Sequence, residues 1–142
     1  MKAELIFYPV MVQIALTFIM YIRLSVVKSR ALACSDVDLD RRALHDDAWP
    51  DYVLKTSNNI HNQFESPSLF YTLAIMLWAL QAVTPLVLTA AWAYASLRIV
   101  HAFVHTGSNY VPLRKNLFKV SILLLIAMSV KVLISLTTGV AQ

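Results

Sequence analysis

The chain has 142 residues, of which 58% are apolar and 14% are charged, and its mean hydropathy is +0.63. Soluble domains usually carry about a quarter charged residues, so this composition argues against a soluble globular protein. The formal charge of +4 reports membrane topology rather than nucleic-acid binding, and one cysteine cannot form an internal disulfide. We therefore expect an integral membrane protein with no nucleic-acid partner.

Four apolar stretches follow one another along the chain. A membrane-crossing helix needs about 20 apolar residues. Residues 66–97 contain no charge, but a single helix of that length would overshoot a hydrocarbon core about 30 Å thick. Thr84-Pro85 therefore divides this run into two helices. The sequence predicts one all-α domain over residues 1–142, a four-helix membrane bundle with helices at about 5–27, 58–83, 86–106 and 115–138.

Residues 28–57 form the one long polar segment, which we predict to be a cytoplasmic loop. This segment holds five Lys and Arg, the third loop holds two, and the tails and second loop together hold one. Cytoplasmic loops carry the excess of positive charge. The sequence therefore predicts that the N- and C-termini lie outside.

Polar side chains interrupt the apolar faces of two predicted helices at spacings of three and four residues, so each set shares one helix face. An ionisable residue inside a membrane helix costs about 2.5 to 3.5 kcal/mol, so such faces turn toward partners or water. We expect the two faces to meet and Glu65 to pair with Arg98. The second helix carries Asn58, His61, Asn62 and Glu65, and the third carries Arg98, His101 and His105.

The residues alone leave several interpretations open. Glu65 and Arg98 could be an ion pair that only fixes helix packing, and the asparagines could only join helices by hydrogen bonds. His61, with the two histidines of the third helix, could instead bind a metal ion. Arg114 and Lys115 could be ordinary positive-inside anchors.

Three short motifs resemble the MAPEG family, the membrane-associated proteins of eicosanoid and glutathione metabolism. They are Asn62-Gln63-Phe64-Glu65, Arg98-Ile-Val-His101 and Pro112-Leu-Arg114. The four-span layout, the long first loop and the tight second turn match as well, over nearly the whole chain. The resemblance implies a homotrimer of four-helix protomers in a bacterial inner membrane, surrounded by lipid, with glutathione bound between neighbouring protomers toward the cytoplasmic side.

The resemblance also assigns roles to individual residues. It implies that Arg114 is catalytic and stabilises the glutathione thiolate, because a nearby cation favours the thiolate of a group whose free pKa is about 8.5. It implies a glutathione-binding set on helices two and three. That set consists of Asn62, Glu65, Arg98 and His101, together with Asn58 at the position of a family arginine.

Several positions depart from the catalytic members of that family. Asn58 replaces an arginine, which removes a donor for a glutathione carboxylate. His105 and Phe118 stand where prostaglandin E synthase has tyrosines, and the helix-two proline is shifted to Pro67. The sequence thus predicts a glutathione-dependent transferase or peroxidase acting on lipophilic electrophiles. A non-enzymatic scaffold or binding protein of the same fold is the alternative, and a histidine-based metal-binding membrane protein is a third.

Overall fold

The structure is a computed structural model that describes residues 2–139, and its helical architecture confirms the predicted all-α class. Within those residues it contains no strand. Short 3-10 turns precede the first and second helices, at Ala3–Ile6 and Asp46–Ala48. The α-helices are α1 (Phe7–Ala33), α2 (Asp51–Phe64), α3 (Ser66–Ala79), α4 (Pro85–Thr106) and α5 (Val111–Gly139).

The helices extend further into the polar segments than the predicted spans. α1 continues to Ala33 and α2 begins at Asp51, so the segment predicted as a loop over 28–57 shortens to 34–50. At its start, α5 begins at Val111 rather than near residue 115. Hydropathy marks the edge of the bilayer, whereas helical hydrogen bonds continue into water. The 27 residues of α1 rise about 40 Å, which exceeds a hydrocarbon core of about 30 Å.

The helix predicted over 58–83 is two helices that meet at Glu65. There the backbone leaves the helical region, with φ −82° and ψ −95°. Pro67 has no amide hydrogen to donate to the carbonyl of Gln63, so a continuous helix would lose that hydrogen bond. Starting a new helix at Ser66 puts Pro67 in a first turn, where the missing donor costs nothing. The physical cause of the break is therefore local.

The bundle runs up and down, with α2 and α3 together lying antiparallel to α1. Near one end of the bundle the Phe7 and Trp78 rings lie 5.5 Å apart, and near the other the ammonium of Lys28 lies 4.8 Å from the Trp49 ring centroid. α4 packs against α1 and α2, and α5 packs mainly against α4 and α3. Together α2 and α3 thus cover the height that the sequence predicted for one span.

We call the end of the bundle that holds residues 34–50 and 107–110 the loop end. The larger apolar core lies toward the opposite end and includes Phe70, Leu77 and Met128. The helices that are long and apolar enough to cross a membrane, within the described residues, number three: Ala3–Ala33, Pro85–Thr106 and Val111–Gly139. Their outer faces expose large apolar side chains, as expected for contact with lipid.

Candidate functional site

The break at Glu65 frees the last carbonyl groups of α2, because a helix end leaves its final four carbonyls without intrahelical partners. Arg98 of α4 is fully buried, and its Nη2 donates a hydrogen bond of 2.6 Å to the backbone oxygen of Asn62. A cation at this position also interacts favourably with the negative end of the α2 dipole. Arg98 therefore stabilises the interrupted end of α2.

The predicted ion pair between Glu65 and Arg98 does not form. Glu65 is exposed, and the ion pair found within residues 2–139 joins Arg41 to Asp47 in the polar loop. The prediction assumed helical spacing through Glu65, but the backbone there is not helical, so Glu65 leaves the face that it would share with Asn62. The Nε and Nη1 atoms of Arg98 are buried and have no hydrogen-bond partner in the described part of the chain.

The polar face of α4 is buried against α2 and α5. His101 and His105 follow Arg98 on this face and are only 3% and 4% exposed. The two imidazole rings lie edge to face, with centroids 5.6 Å apart, and His101 also lies 6.4 Å from the Phe118 ring of α5. The structure thus confirms that the polar faces of the second and third predicted helices meet, although without the ion pair.

A chain of side-chain hydrogen bonds connects α1, α2 and α4 beneath this face. Gln13 Nε2 donates to Gln63 Oε1 over 2.6 Å, and Gln63 Nε2 donates to Asn59 Oδ1 over 3.1 Å. The carboxamide nitrogens of Asn59 and Asn62 each lie 3.4 Å from Nδ1 of His105. These hydrogen bonds pair most of the polar groups between the helices, although the buried Oε1 of Gln13 has no partner among the described residues.

Next to this network lies an open cavity of about 280 Å³ between α2, α4 and α5. Its volume is near the lower limit of small-molecule sites, about 300 Å³. The lining combines one carboxamide, two rings and three cationic side chains, with no acidic residue among them. The lining residues are Asn62, His101, Arg114, Lys115, Phe118 and Lys119.

Arg114 is held in position by the turn between α4 and α5. Its Nη1 donates a hydrogen bond of 2.6 Å to Oδ1 of Asn109. Asn109 has a φ of 52°, a left-handed conformation that asparagine tolerates better than most residues, and its amide donates to the carbonyl of Val104 over 2.7 Å. The short turn therefore fixes one side of the Arg114 guanidinium, which lines the cavity.

The predicted site residues fall into three groups. Asn62, His101 and Arg114 line the same cavity. Arg98 lies behind Asn62, donates a hydrogen bond to its backbone oxygen and does not line the cavity. The remaining two, Asn58 and Glu65, are exposed and are not among the residues that line the cavity.

The chain was also compared with known proteins. The model of the MAPEG family matches residues 6–134, nearly the whole chain. The chain belongs to the MAPEG family. Searches of the curated proteins and of the solved structures gave no match. As a MAPEG protein, it is an integral membrane helical bundle of a family that is generally associated with glutathione.

Three cavity residues of this MAPEG protein were not predicted as site residues: Lys115, Phe118 and Lys119. The spacing of residues 114, 115, 118 and 119 places them on one face of α5, next to Arg114. That spacing was a usable signal, but lysines at a membrane edge are usually anchors, and the chain alone does not tell which helix they face. The sequence alone also did not indicate that Gln13 and Gln63 would be in contact.

The third interpretation of the sequence, a metal site, requires three ligating side chains close together. Among residues 2–139, no three His, Cys, Asp or Glu side chains lie close enough to hold a metal ion. His61 is exposed on α2, apart from the buried histidines of α4. The described residues therefore offer at most two neighbouring histidine ligands, which is fewer than the three that catalytic zinc sites use.

Proposed function

We propose that the cavity binds glutathione and that the protein uses its thiolate as a nucleophile toward lipophilic electrophiles. The observation that carries this proposal is the lining of the cavity, which has three cations, one carboxamide and no acid. Glutathione brings two carboxylates, several amide groups and a thiol that ionises. Its charges are complementary to such a lining, and the match favours an anionic peptide over a neutral or cationic ligand.

We assign the cations of α5 to the two kinds of anionic group in glutathione, its carboxylates and its thiolate. Lys115 and Lys119 lie one helical turn apart and are exposed enough to reach carboxylates at the cavity mouth. Arg114 is anchored through one of its nitrogens to Asn109, which leaves other N–H groups of its planar guanidinium for the sulfur. Because arginine keeps its proton, it stabilises the thiolate and does not act as a base.

The chemistry that follows is nucleophilic attack by the sulfur. In a transferase reaction a sulfur–carbon bond forms, and the electrophile's leaving group departs with its electron pair. In a peroxidase reaction the thiolate attacks a peroxide oxygen, the O–O bond breaks and the alcohol leaves after taking a proton. A second glutathione then converts the sulfenic acid to a disulfide and releases water. In both reactions Arg114 lowers the free energy of the thiolate form.

We also propose that the functional unit is the homotrimer implied by the family. Asn58 and Glu65 are exposed on α2, where an isolated chain would leave polar groups on the outside of a membrane bundle. A neighbouring subunit packed there would cover both residues and bring them toward its own glutathione. The cavity is open on one side, as expected for a site that a neighbour completes.

One observation favours a second role, in which the protein binds glutathione or another anionic thiol without turnover. Phe118 lines the cavity at a position where prostaglandin E synthase has a tyrosine, so no hydroxyl group is offered there. Without that donor the thiolate depends on Arg114 alone. Binding without detectable conjugation or peroxide reduction would favour this second role.

The test compares thermal unfolding of the detergent-purified protein with and without millimolar glutathione. Ligand at about 100 times its dissociation constant should add about 2.7 kcal/mol of stability. Asn62→Ala should weaken this stabilisation. Arg114→Ala should lower the turnover of a model electrophile about 100-fold, in line with the loss of one electrostatic donor.

The matched control is Arg42→Ala, which removes an arginine from the exposed polar loop. It should leave both glutathione stabilisation and turnover unchanged. Absence of glutathione stabilisation in the unmodified protein at any accessible concentration would rule out the proposed function. Equal turnover in Arg114→Ala and Arg42→Ala would rule out the role of Arg114.

A further inference from the structure

We propose that buried His105 is a positioning residue that turns the carboxamide of Asn62 so that its oxygen faces the cavity, where it accepts a hydrogen bond from an N–H donor of the ligand. The identity of that ligand as glutathione rests on the proposed function. The orientation of Asn62 does not, because it follows from the hydrogen bonds of the chain itself.

The two hydrogens of the Asn62 carboxamide each have an acceptor nearby. Asn62 Nδ2 lies 3.1 Å from the backbone oxygen of Asn58 and 3.4 Å from Nδ1 of His105. A carbonyl oxygen can only accept, so the nitrogen of the carboxamide must face Asn58. With both N–H groups engaged, Oδ1 is the one polar atom of the Asn62 side chain left to face the cavity that Asn62 lines.

The neighbours of His105 indicate its tautomer. From the other side the chain of donors runs from Gln13 through Gln63 to Asn59, whose Oδ1 accepts from Gln63. That leaves the Asn59 nitrogen facing His105 at 3.4 Å. The nitrogens of Asn59 and Asn62 thus both face Nδ1 of His105, which can share its one lone pair between them when the ring proton lies on Nε2. We infer that this is the tautomer present.

The orientation of Asn62 affects which ligands the cavity can bind. His105 is 4% exposed and does not line the cavity, so it acts through Asn62 rather than on the ligand. The Asn62 oxygen is an acceptor in a cavity whose charged residues are all cations. A fitting ligand therefore carries an N–H donor flanked by anionic groups, as the amide and ammonium groups of glutathione are. A ligand with only acceptors would leave this oxygen unpaired.

One test needs no ligand. NMR of detergent-solubilised protein with isotope-labelled histidine nitrogens, at mildly alkaline pH, reports which ring nitrogen carries the proton, and the His105 signals are identified by their loss in His105→Phe. We expect an unprotonated, hydrogen-bonded Nδ1 and a protonated Nε2. A proton on Nδ1 would mean that His105 does not accept from Asn62, and it would overturn the proposal.

The second test is a double-mutant cycle read by glutathione affinity. His105→Phe should raise the dissociation constant about fivefold, the equivalent of one lost net hydrogen bond, and His105→Gln, which keeps an acceptor, should recover part of the affinity. In the Asn62→Ala background, His105→Phe should have no further effect. Additive losses would overturn the positioning role, because His105 would then act on binding without Asn62.

The control His45→Phe changes an exposed histidine of the polar loop and should leave affinity unchanged. Failure of this inference is distinguishable from failure of the proposed function. If the unmodified protein does not bind glutathione, the proposed function fails, and the NMR measurement still decides the orientation of Asn62.

Discussion

At the scale of single residues, the positive charge of the cavity comes from α5 rather than from α2. Asn58, which the resemblance places at the position of a family arginine, is exposed and does not line the cavity. Lys115 and Lys119 line it together with Arg114. We therefore expect α5, rather than α2, to provide the recognition of carboxylates.

This expectation leads to a prediction for Lys119→Gln. The substitution should weaken glutathione binding up to about fivefold, since an exposed charge pair contributes up to about 1 kcal/mol. Affinity of the unmodified protein should fall as salt is added, and the substitution should reduce that dependence. Titration calorimetry in detergent at two salt concentrations measures both effects.

Lys131→Gln is the matched control for Lys119→Gln, because Lys131 is also on α5 but lines a separate cavity with Thr84 near the opposite end of the bundle. It should bind glutathione like the unmodified protein. Equal weakening by the two substitutions would indicate a general charge effect, and it would contradict a specific contact at Lys119.

At the scale of helices, the interruption between α2 and α3 organises the site. A continuous helix would keep the carbonyl of Asn62 in an intrahelical hydrogen bond with the amide of Ser66. The break at Glu65 releases that carbonyl, and the buried guanidinium of Arg98 donates a hydrogen bond to it. The same contact links α4 to the turn of α2 that carries the cavity residue Asn62.

A double-mutant cycle between Pro67 and Arg98 tests this interpretation. Arg98→Met leaves the partly buried carbonyl of Asn62 unpaired, which should lower the free energy of unfolding by about 1 to 3 kcal/mol. Removal of the buried charge of Arg98 should offset part of this loss. Pro67→Ala supplies an amide hydrogen that allows α2 to continue into α3. In that background Arg98→Met should cost about 1 kcal/mol less, as measured by denaturant unfolding in detergent. Strictly additive effects would contradict a role of Arg98 in stabilising the interrupted end of α2.

At the scale of the whole molecule, the two ends of the bundle differ in their number of basic residues. The loop end carries the basic residues of segment 34–50, of the end of α1 and of the cavity, whereas the opposite end of the described chain carries Lys2 and Lys131. We propose that the loop end is cytoplasmic and that both termini lie outside, in a bacterial inner membrane.

The single cysteine makes this orientation testable without engineering a label site. Cys34 is exposed just after α1, at the loop end. A membrane-impermeant maleimide should modify it in inverted membrane vesicles and not in intact spheroplasts. As the opposite control, Cys34→Ser combined with Lys2→Cys should be labelled in spheroplasts. Labelling of Cys34 from outside would reverse the proposed topology.

The sequence by itself determined the fold class, the approximate bounds of three of the four predicted spans and the meeting of two polar faces, because hydropathy and helical period are local properties of the chain. The motifs around Asn62, Arg98 and Arg114 were sufficient to indicate the family, which the match over residues 6–134 established.

The tertiary structure alone decided which of those polar residues lie together. Whether Glu65 reaches Arg98 depends on the backbone at the break, where helical spacing no longer applies. Which residues share the cavity, Lys119 included, depends on the rotation and depth of α5 against α4. Hydrogen bonds such as Gln13 to Gln63 join residues 50 positions apart. Such contacts arise from the packing of whole helices, which no short stretch of sequence encodes.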